Sequence, residues 1–314
     1  MGGDAVHPAD GTRDKERKPA RAQQGRGNNV PQQKNDTVKE FDFTRSDFER
    51  VRALIYQRAG ISLADSKQEM VYSRLARRLR ATGIQSFARY LDDLEGGRMA
   101  SEWESFTNAL TTNLTSFFRE AHHFPLLEEQ LLGLRRPGGG APITIWCSAA
   151  STGEEPYSIA MTACEAFDTL TPPVQVVATD IDTNVLATGA NGVYPMERLE
   201  KLGPERLRRF FLKGKGANEG MGRVRPELRK LVEFRQLNLL ADDWPLQGQF
   251  DAIFCRNVMI YFDKNTQRKI LSRFVPLMKP HALLFAGHSE NFLYVSDSLR
   301  LRGKTVYELD KVGR

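Results

Sequence analysis

Residues 143–158 read ITIWCSAASTGEEPYS, and this stretch decides the fold. A short apolar run, Ile143–Trp146, gives way to small residues. A helix then begins near Glu154 and Glu155, with Pro156 suited to its first turn. A strand, a tight turn and a helix in that order open a βαβ unit. Further apolar runs occur at PVQVVATD (173–180), LVEFRQLN (231–238), FDAIFCRN (250–257), ALLFAGHS (282–289) and KTVYEL (304–309). Helical patterns such as EEPYSIAMTACEAF and KNTQRKILSRFVPLM separate most of them, and the alternation predicts an α/β fold with a parallel sheet. Residues 196–230 interrupt it, being long, glycine-rich and basic; they read as an inserted antiparallel β-subdomain.

Upstream the period changes. TRSDFERVRALIYQRAG offers Thr44 as a helix N-cap with Asp47 three positions on, an apolar stripe of Phe48, Val51 and Ile55, and Gly60 as a stop. KQEMVYSRLARRLRATG puts Val71, Leu75 and Leu79 on one side of a helix and Arg74, Arg77, Arg78 and Arg80 on the other. SFARYLDDLEGG and SEWESFTNAL repeat the pattern, giving four short helices between 41 and 110. Residues 1–38 hold Gly, Pro, Gln and Asn with no aromatic before Phe41, a composition too poor in apolar surface to offset ordering, so a disordered tail is expected. The expected organisation is this tail, a helical domain at 39–112, a segment at 113–140 ending in the Gly/Pro run RRPGGGAP (135–142), and an α/β domain at 141–314.

The 314 residues carry a formal net charge of +6, which points to an anionic partner without choosing one. No apolar run approaches the roughly 20 residues of a membrane span, and the N-terminus lacks the apolar core of a secretory signal. The three cysteines, Cys147, Cys164 and Cys255, are too few and too widely spaced for a disulfide framework or a zinc cluster. A cytoplasmic protein with reduced thiols is expected.

Ligands of such sheets sit beyond the carboxyl ends of the strands. There, Ser148, Ala149, Ala150, Ser151 and Gly153 would let a ligand approach the backbone closely. The stretch is not the dinucleotide G-x-G-x-x-G, because Glu154 and Glu155 would repel a pyrophosphate. Asp180 closes the second run in ATDID, about 20 residues on, where an acid suits a ribose diol. A positively charged nucleoside without phosphate meets both conditions, and S-adenosyl-L-methionine is one.

TTNLTSFFREAHHF (111–124), CSAASTGEEPYSIAM, ATDID, FDAIFCRNVMIYFD and LLFAGHSENF together resemble, in order and rough spacing, the chemotaxis receptor methyltransferases of the CheR family, over about 41–311. The resemblance implies a class I S-adenosylmethionine methyltransferase domain of Rossmann-like fold, preceded by a small helical domain and carrying an inserted β-subdomain. It implies transfer of a methyl group from S-adenosyl-L-methionine to glutamate side chains of membrane chemoreceptors, leaving S-adenosyl-L-homocysteine. By the same resemblance Asn113, Thr115 and Arg119 face the cofactor, and Asp180 holds the ribose. Glu155 takes the ribose or the ammonium, Asn238 and Leu239 the adenine side, and Arg256 and Asn257 the methionine moiety. Tyr261 matches an active-site tyrosine. Phe117 and Phe118 are expected to pack or to close over the cofactor.

A glutamate acceptor, with a side-chain pKa of about 4.3, is already ionised at neutral pH and needs no general base. Arg119 could orient it through a planar fork, and Tyr261 could direct a hydroxyl to the same place. The arginines at 74, 77, 78 and 80 suit the acidic methylation helices of receptors, and the glycine-rich insert suits strand addition by a receptor's C-terminal tail. His122 and His123, adjacent on a helix, should point about 100° apart and so not share an ion; no metal is expected. Two other readings compete. A nucleic-acid methyltransferase fits the basic charge but lacks an Asn-Pro-Pro-Tyr-type loop at CRNVMIYF, so no nucleic acid is expected. A non-catalytic cofactor sensor sits badly with Arg119, Asn257 and Tyr261 all present.

Overall fold

A capping box starts the first helix. Thr44 Oγ1 accepts from the Asp47 N–H at 3.1 Å while Asp47 Oδ2 accepts from the Thr44 N–H at 2.9 Å. The computed structural model describes Gly2, residues 39–135 and residues 140–310. The tail expected at 1–38, Gly2 apart, and the centre of the Gly/Pro run lie outside the described residues. From Phe41 onward the chain forms one unit.

Its first layer consists of α1 (Arg45–Ala59), α2 (Gln68–Thr82), α3 (Phe87–Glu95) and α4 (Glu102–Leu110). Phe48, Leu75, Leu79, Phe87, Tyr90 and Phe106 fill a core of their own between these helices. Gly60 ends α1 at φ 68°, and a Cβ there would lie 2.7 Å from Leu240 Cδ1, in the layer beneath. Gly60→Ala should therefore cost about 1–2 kcal/mol in urea denaturation, combining left-handed strain with this clash. An unchanged midpoint would show that both are relieved.

The rest of the unit comprises α5 (His123–Gly133), β1 (Ile143–Cys147), α6 (Glu154–Ala166), β2 (Val174–Asp180), α7 (Thr183–Asn191), β3 (Val193–Pro195), α8 (Met196–Leu199), α9 (Gly203–Phe210), β4 (Phe211–Lys213), β5 (Met221–Val224), α10 (Pro226–Arg229), β6 (Val232–Gln236), β7 (Phe250–Cys255), α11 (Lys264–Phe274), β8 (Met278–Ala286), β9 (Leu299–Gly303) and β10 (Val306–Leu309). The main sheet has the order β6-β2-β1-β7-β8-β10-β9. Strands β6, β2, β1, β7 and β8 are parallel to their neighbours. Strand β10 runs antiparallel to both β8 and β9, so the sheet is mixed. β9 was not legible in LRLRG because only Leu299 is buried; its exposed arginines protect a sheet edge from pairing with another chain.

Chain order reverses between β1 and β7, which places the crevice at Cys147 and Cys255. One face of the sheet packs α5 and α6 through Leu127, Leu131, Ile159 and Ala163. The other packs α11 around Trp146, Ile270 and Phe274. The insert forms a separate antiparallel sheet, β3-β5-β4. It begins at Val193, just ahead of the expected 196, and joins the larger core through Tyr194, Leu199, Phe210 and Phe211.

Candidate functional site

The turn after β1 is held from below and from the side. Ser148 N–H donates to Phe254 O at 2.8 Å and Ala150 N–H to Thr179 O at 2.8 Å, which pins the loop between its neighbouring strands. Ser151 takes φ 48°. Its N–H donates to Asp180 Oδ2 at 2.8 Å, and the Asp182 N–H donates to Asp180 Oδ1 at 3.0 Å. Burial pushes the Asp180 carboxyl up to about 6, against the pull of these two amides.

Glu155, in the first turn of α6, accepts from Arg256 Nη1 at 2.6 Å and from the Cys147 thiol at 3.3 Å. Burial raises its pKa while Arg256 opposes the rise. The Arg256 side chain is fully buried. It lies 3.4 Å from Glu120 on its other flank and donates to the Arg119 carbonyl. Only its Nε lacks a partner. Burial would raise Glu120, but Arg256, the His288 N–H and the Asn257 amide together bring it down to about 2. One guanidinium thus spans two carboxylates, a grouping whose members are costly to remove singly.

The 111–122 segment crosses the open end of the sheet. Thr111 Oγ1 and Asn113 Nδ2 donate to Asp182 Oδ2 at 2.7 and 2.8 Å, and the Asn113 carbonyl accepts from Ser151 Oγ at 3.1 Å. Arg119 Nη1 donates to Leu114 O at 2.8 Å. Phe118, Glu120, Ser151 and Asn257 all adopt φ between 48° and 59°, left-handed backbone that non-glycine residues hold only where the surroundings enforce it. Phe117 packs edge-on against Tyr194 and Phe211. Phe118 lies under the Arg206 guanidinium at 3.8 Å. Both phenylalanines pack away from the crevice.

Asn113, Thr115, Arg119, Glu155, Asp180, Asn238, Leu239, Arg256, Asn257 and Tyr261 all line one cavity at this crevice. A wall that the sequence did not reveal comes from the helical layer, with Ile61, Leu63, Lys67 and Met70. The layers are tied beside it. Ser62 N–H donates to Tyr261 O at 2.9 Å, Asn238 Nδ2 to Arg58 O at 2.8 Å, and the Tyr56 hydroxyl to Asp263 Oδ2 at 2.5 Å. Glu120, Asp182 and Glu290 are three further carboxylates that sequence reasoning did not single out. Glu290 does lie within GHSEN, a motif noted above for resemblance alone.

The four arginines of α2 do not line the cavity, and they divide into two pairs. Arg74 donates to the carbonyls of Thr111 and Ala109, and Arg78 grips Glu102 through two bonds of 2.8 Å. Arg77 and Arg80 are exposed. The histidines do not diverge as expected. His122 stands at the N-cap position of α5 with no side-chain capping bond, and the two rings stand 4.2 Å apart. Glu120, His122 and His123 consequently bring three donor atoms within 4.8 Å of one another. Glu120 is engaged by Arg256, Asn257 and His288, and His123 Nε2 faces the Lys304 carbonyl at 3.0 Å. A fixed guanidinium beside the trio opposes a metal cation, and we assign none. Among the described residues no helix is long and apolar enough to cross a membrane.

The chain also matches known proteins over most of its length. Residues 46–111 match the family described as CheR methyltransferase, all-alpha domain, and residues 113–307 match CheR methyltransferase, SAM binding domain. The chain is 56% identical to chemotaxis protein methyltransferase 2 of Pseudomonas aeruginosa, over 86% of this chain and 95% of that protein. It is 55% identical to the chemotaxis protein methyltransferase of Escherichia coli, over 84% of this chain and 91% of that one.

Proposed function

This chain belongs to the CheR methyltransferase family, and on that premise we propose that it methylates glutamate side chains of membrane chemoreceptors, forming the glutamyl methyl esters of chemotactic adaptation. S-adenosyl-L-methionine is its cofactor, and when bound it supplies a methyl group on a positively charged sulfur. The residues present fit that molecule. Two buried carboxylates, Asp180 at a strand tip and Glu155 in the first turn of α6, suit ribose hydroxyls and an ammonium, the unpartnered Arg256 Nε–H suits a carboxylate, and Ile181, Leu237 and Leu239 give the cavity an apolar side for a base. The observation that carries the reading is the convergence of Glu155, Asp180, Arg256, Asn257 and Tyr261 on one cavity walled by a helical layer.

Within it, Arg119 orients the acceptor carboxylate with the guanidinium donors left over from its bond to Leu114. The Tyr261 hydroxyl faces the same acceptor. Neither removes a proton, because the acceptor is already ionised. Their contribution is alignment of an anion with a cationic donor in a site with little water. On α2, Arg77 and Arg80 meet the acidic receptor helix while Arg74 and Arg78 brace the surface that carries them. An edge of the β3-β5-β4 sheet takes a receptor's C-terminal tail as an added strand.

Incubation with labelled S-adenosyl-L-methionine and receptor-rich membranes tests the reading. Label should enter the receptors and leave as methanol in mild alkali. Label on other components, or label stable to alkali, would refute it.

Acidity should also act on the site. Asp180 titrates near 6 and holds the ribose only when ionised, so affinity for S-adenosyl-L-homocysteine should fall about tenfold between pH 7 and pH 5. Its effect on folding has the opposite sign. A carboxyl whose folded pKa is raised binds more protons folded than unfolded, so its burial weakens the protein as pH rises from about 4 to 6. Glu120, depressed to about 2, works in reverse; its stabilisation is present above the unfolded value and is lost as pH falls towards 2. Calorimetry at the two pH values checks the affinity, and a constant affinity would remove Asp180 from the ribose.

A further inference from the structure

Three cavity residues, Arg256, Asn257 and Tyr261, sit on the turn that leaves β7, and that turn rests on a carboxylate from the loop after β8. Glu290 is 4% exposed and does not line the cavity. Its Oε2 accepts from the N–H of Gly287 at 2.6 Å and of Asn257 at 3.0 Å. Its Oε1 accepts from the N–H of Val258 at 3.0 Å and of Met259 at 2.8 Å. One buried anion therefore gathers four main-chain amides. Gly287 makes the approach possible, since a Cβ there would lie 2.4 Å from Asn257 Nδ2 and 2.9 Å from both Asn257 N and Glu290 Oε2. Asn257 is held at φ 59° by the same contacts.

Peptide planarity fixes the consequence. In a trans peptide the carbonyl points opposite to the N–H of the next residue. With the Asn257 and Val258 amides turned onto Glu290, the carbonyls of Arg256 and Asn257 are turned away from it. Among the described residues neither carbonyl accepts a hydrogen bond. Arg256, Asn257 and Val258 line the cavity, and Glu290 is not among its lining residues.

We propose that Glu290 is a positioning residue for the methyl donor: by collecting four amides it directs the Arg256 and Asn257 carbonyls to the cavity, making a wall of negative dipole ends that favours the cationic sulfonium over the neutral thioether left after transfer. Charge–dipole attraction and C–H···O contacts from the polarised methyl act together there. The wall discriminates donor from spent product, and so promotes exchange of one for the other. This inference rests on the cofactor site alone and holds whichever carboxylate receives the methyl.

Calorimetric titration of S-adenosyl-L-methionine and S-adenosyl-L-homocysteine into the full chain tests it. Glu290→Gln puts an amide donor against the gathered N–H groups and should weaken the sulfonium ligand about tenfold more than the thioether. Gly287→Ala keeps the Glu290 charge and pushes the Asn257 turn and the carboxylate apart, and should shift the same ratio in the same direction. If Glu290→Gln fails to fold, by circular dichroism, Gly287→Ala carries the test. An affinity ratio within twofold of wild type in Gly287→Ala would overturn the proposal, whether or not Glu290→Gln changes it, because charge alone would then be acting. Equal losses of both ligands in the two variants would overturn it too, since they mark a structural role only. Wild-type protein that binds neither ligand would overturn site and proposal together.

Discussion

Arg256→Leu should lower the free energy of unfolding by about 3–5 kcal/mol, the usual consequence of stripping a buried ion pair of one partner. Glu155 would keep only the Cys147 thiol, and Glu120 only Asn257 and His288, as hydrogen-bond partners. The Arg119 carbonyl loses its donor as well. Adding Glu155→Gln to Arg256→Leu should restore part of the loss, because a neutral amide tolerates burial better than an isolated carboxylate. Denaturant titration of the single and double variants reads this directly. A single-variant loss below about 1 kcal/mol would mean that the cluster relaxes or admits water.

Asp180→Asn should separate affinity from stability. Losing two charge-assisted hydrogen bonds from ribose hydroxyls, at roughly 1.5 kcal/mol or more each, predicts about 100-fold weaker binding of S-adenosyl-L-homocysteine. The fold should suffer far less. The burial that raises the Asp180 pKa is itself a penalty on its charge, and the amide escapes it, which offsets the loss of one of the two bonds from the Ser151 and Asp182 N–H groups. Calorimetry beside thermal melting tests the pair of expectations. A large drop in melting temperature with near-normal affinity would reverse the assignment.

The sequence made some parts of this molecule plain and concealed others for definite reasons. Thr44 and Asp47 were readable because a capping box is local, three residues from end to end. Asp180 and Glu155 were readable because the carboxyl ends of parallel strands form a crevice in any doubly wound sheet. Glu290 was concealed because its partners at 257–259 lie 31–33 residues away, and nothing local distinguishes a carboxylate that gathers amides from one in solvent. Arg74 and Arg78 looked like members of one solvated row. Periodicity identifies the side of a helix and is blind to Glu102 and the Thr111 carbonyl waiting there. The close approach of the His122 and His123 rings was concealed because it depends on side-chain rotamers, which helical periodicity does not specify.

The wall contributed by residues 59–70 has a consequence for how the enzyme meets its two ligands. The cavity is lined from both the helical layer and the sheet layer, so a donor molecule seated in it would add a rivet through a seam closed by polar bonds and by some apolar packing. When donor is scarce that seam is fastened by contacts such as Ser62 with Tyr261, Asn238 with Arg58 and Asn108 with Thr183, and by Ile181 packed on the helical core. The α2 surface proposed to read the acceptor would therefore be held most firmly when there is a methyl group to give.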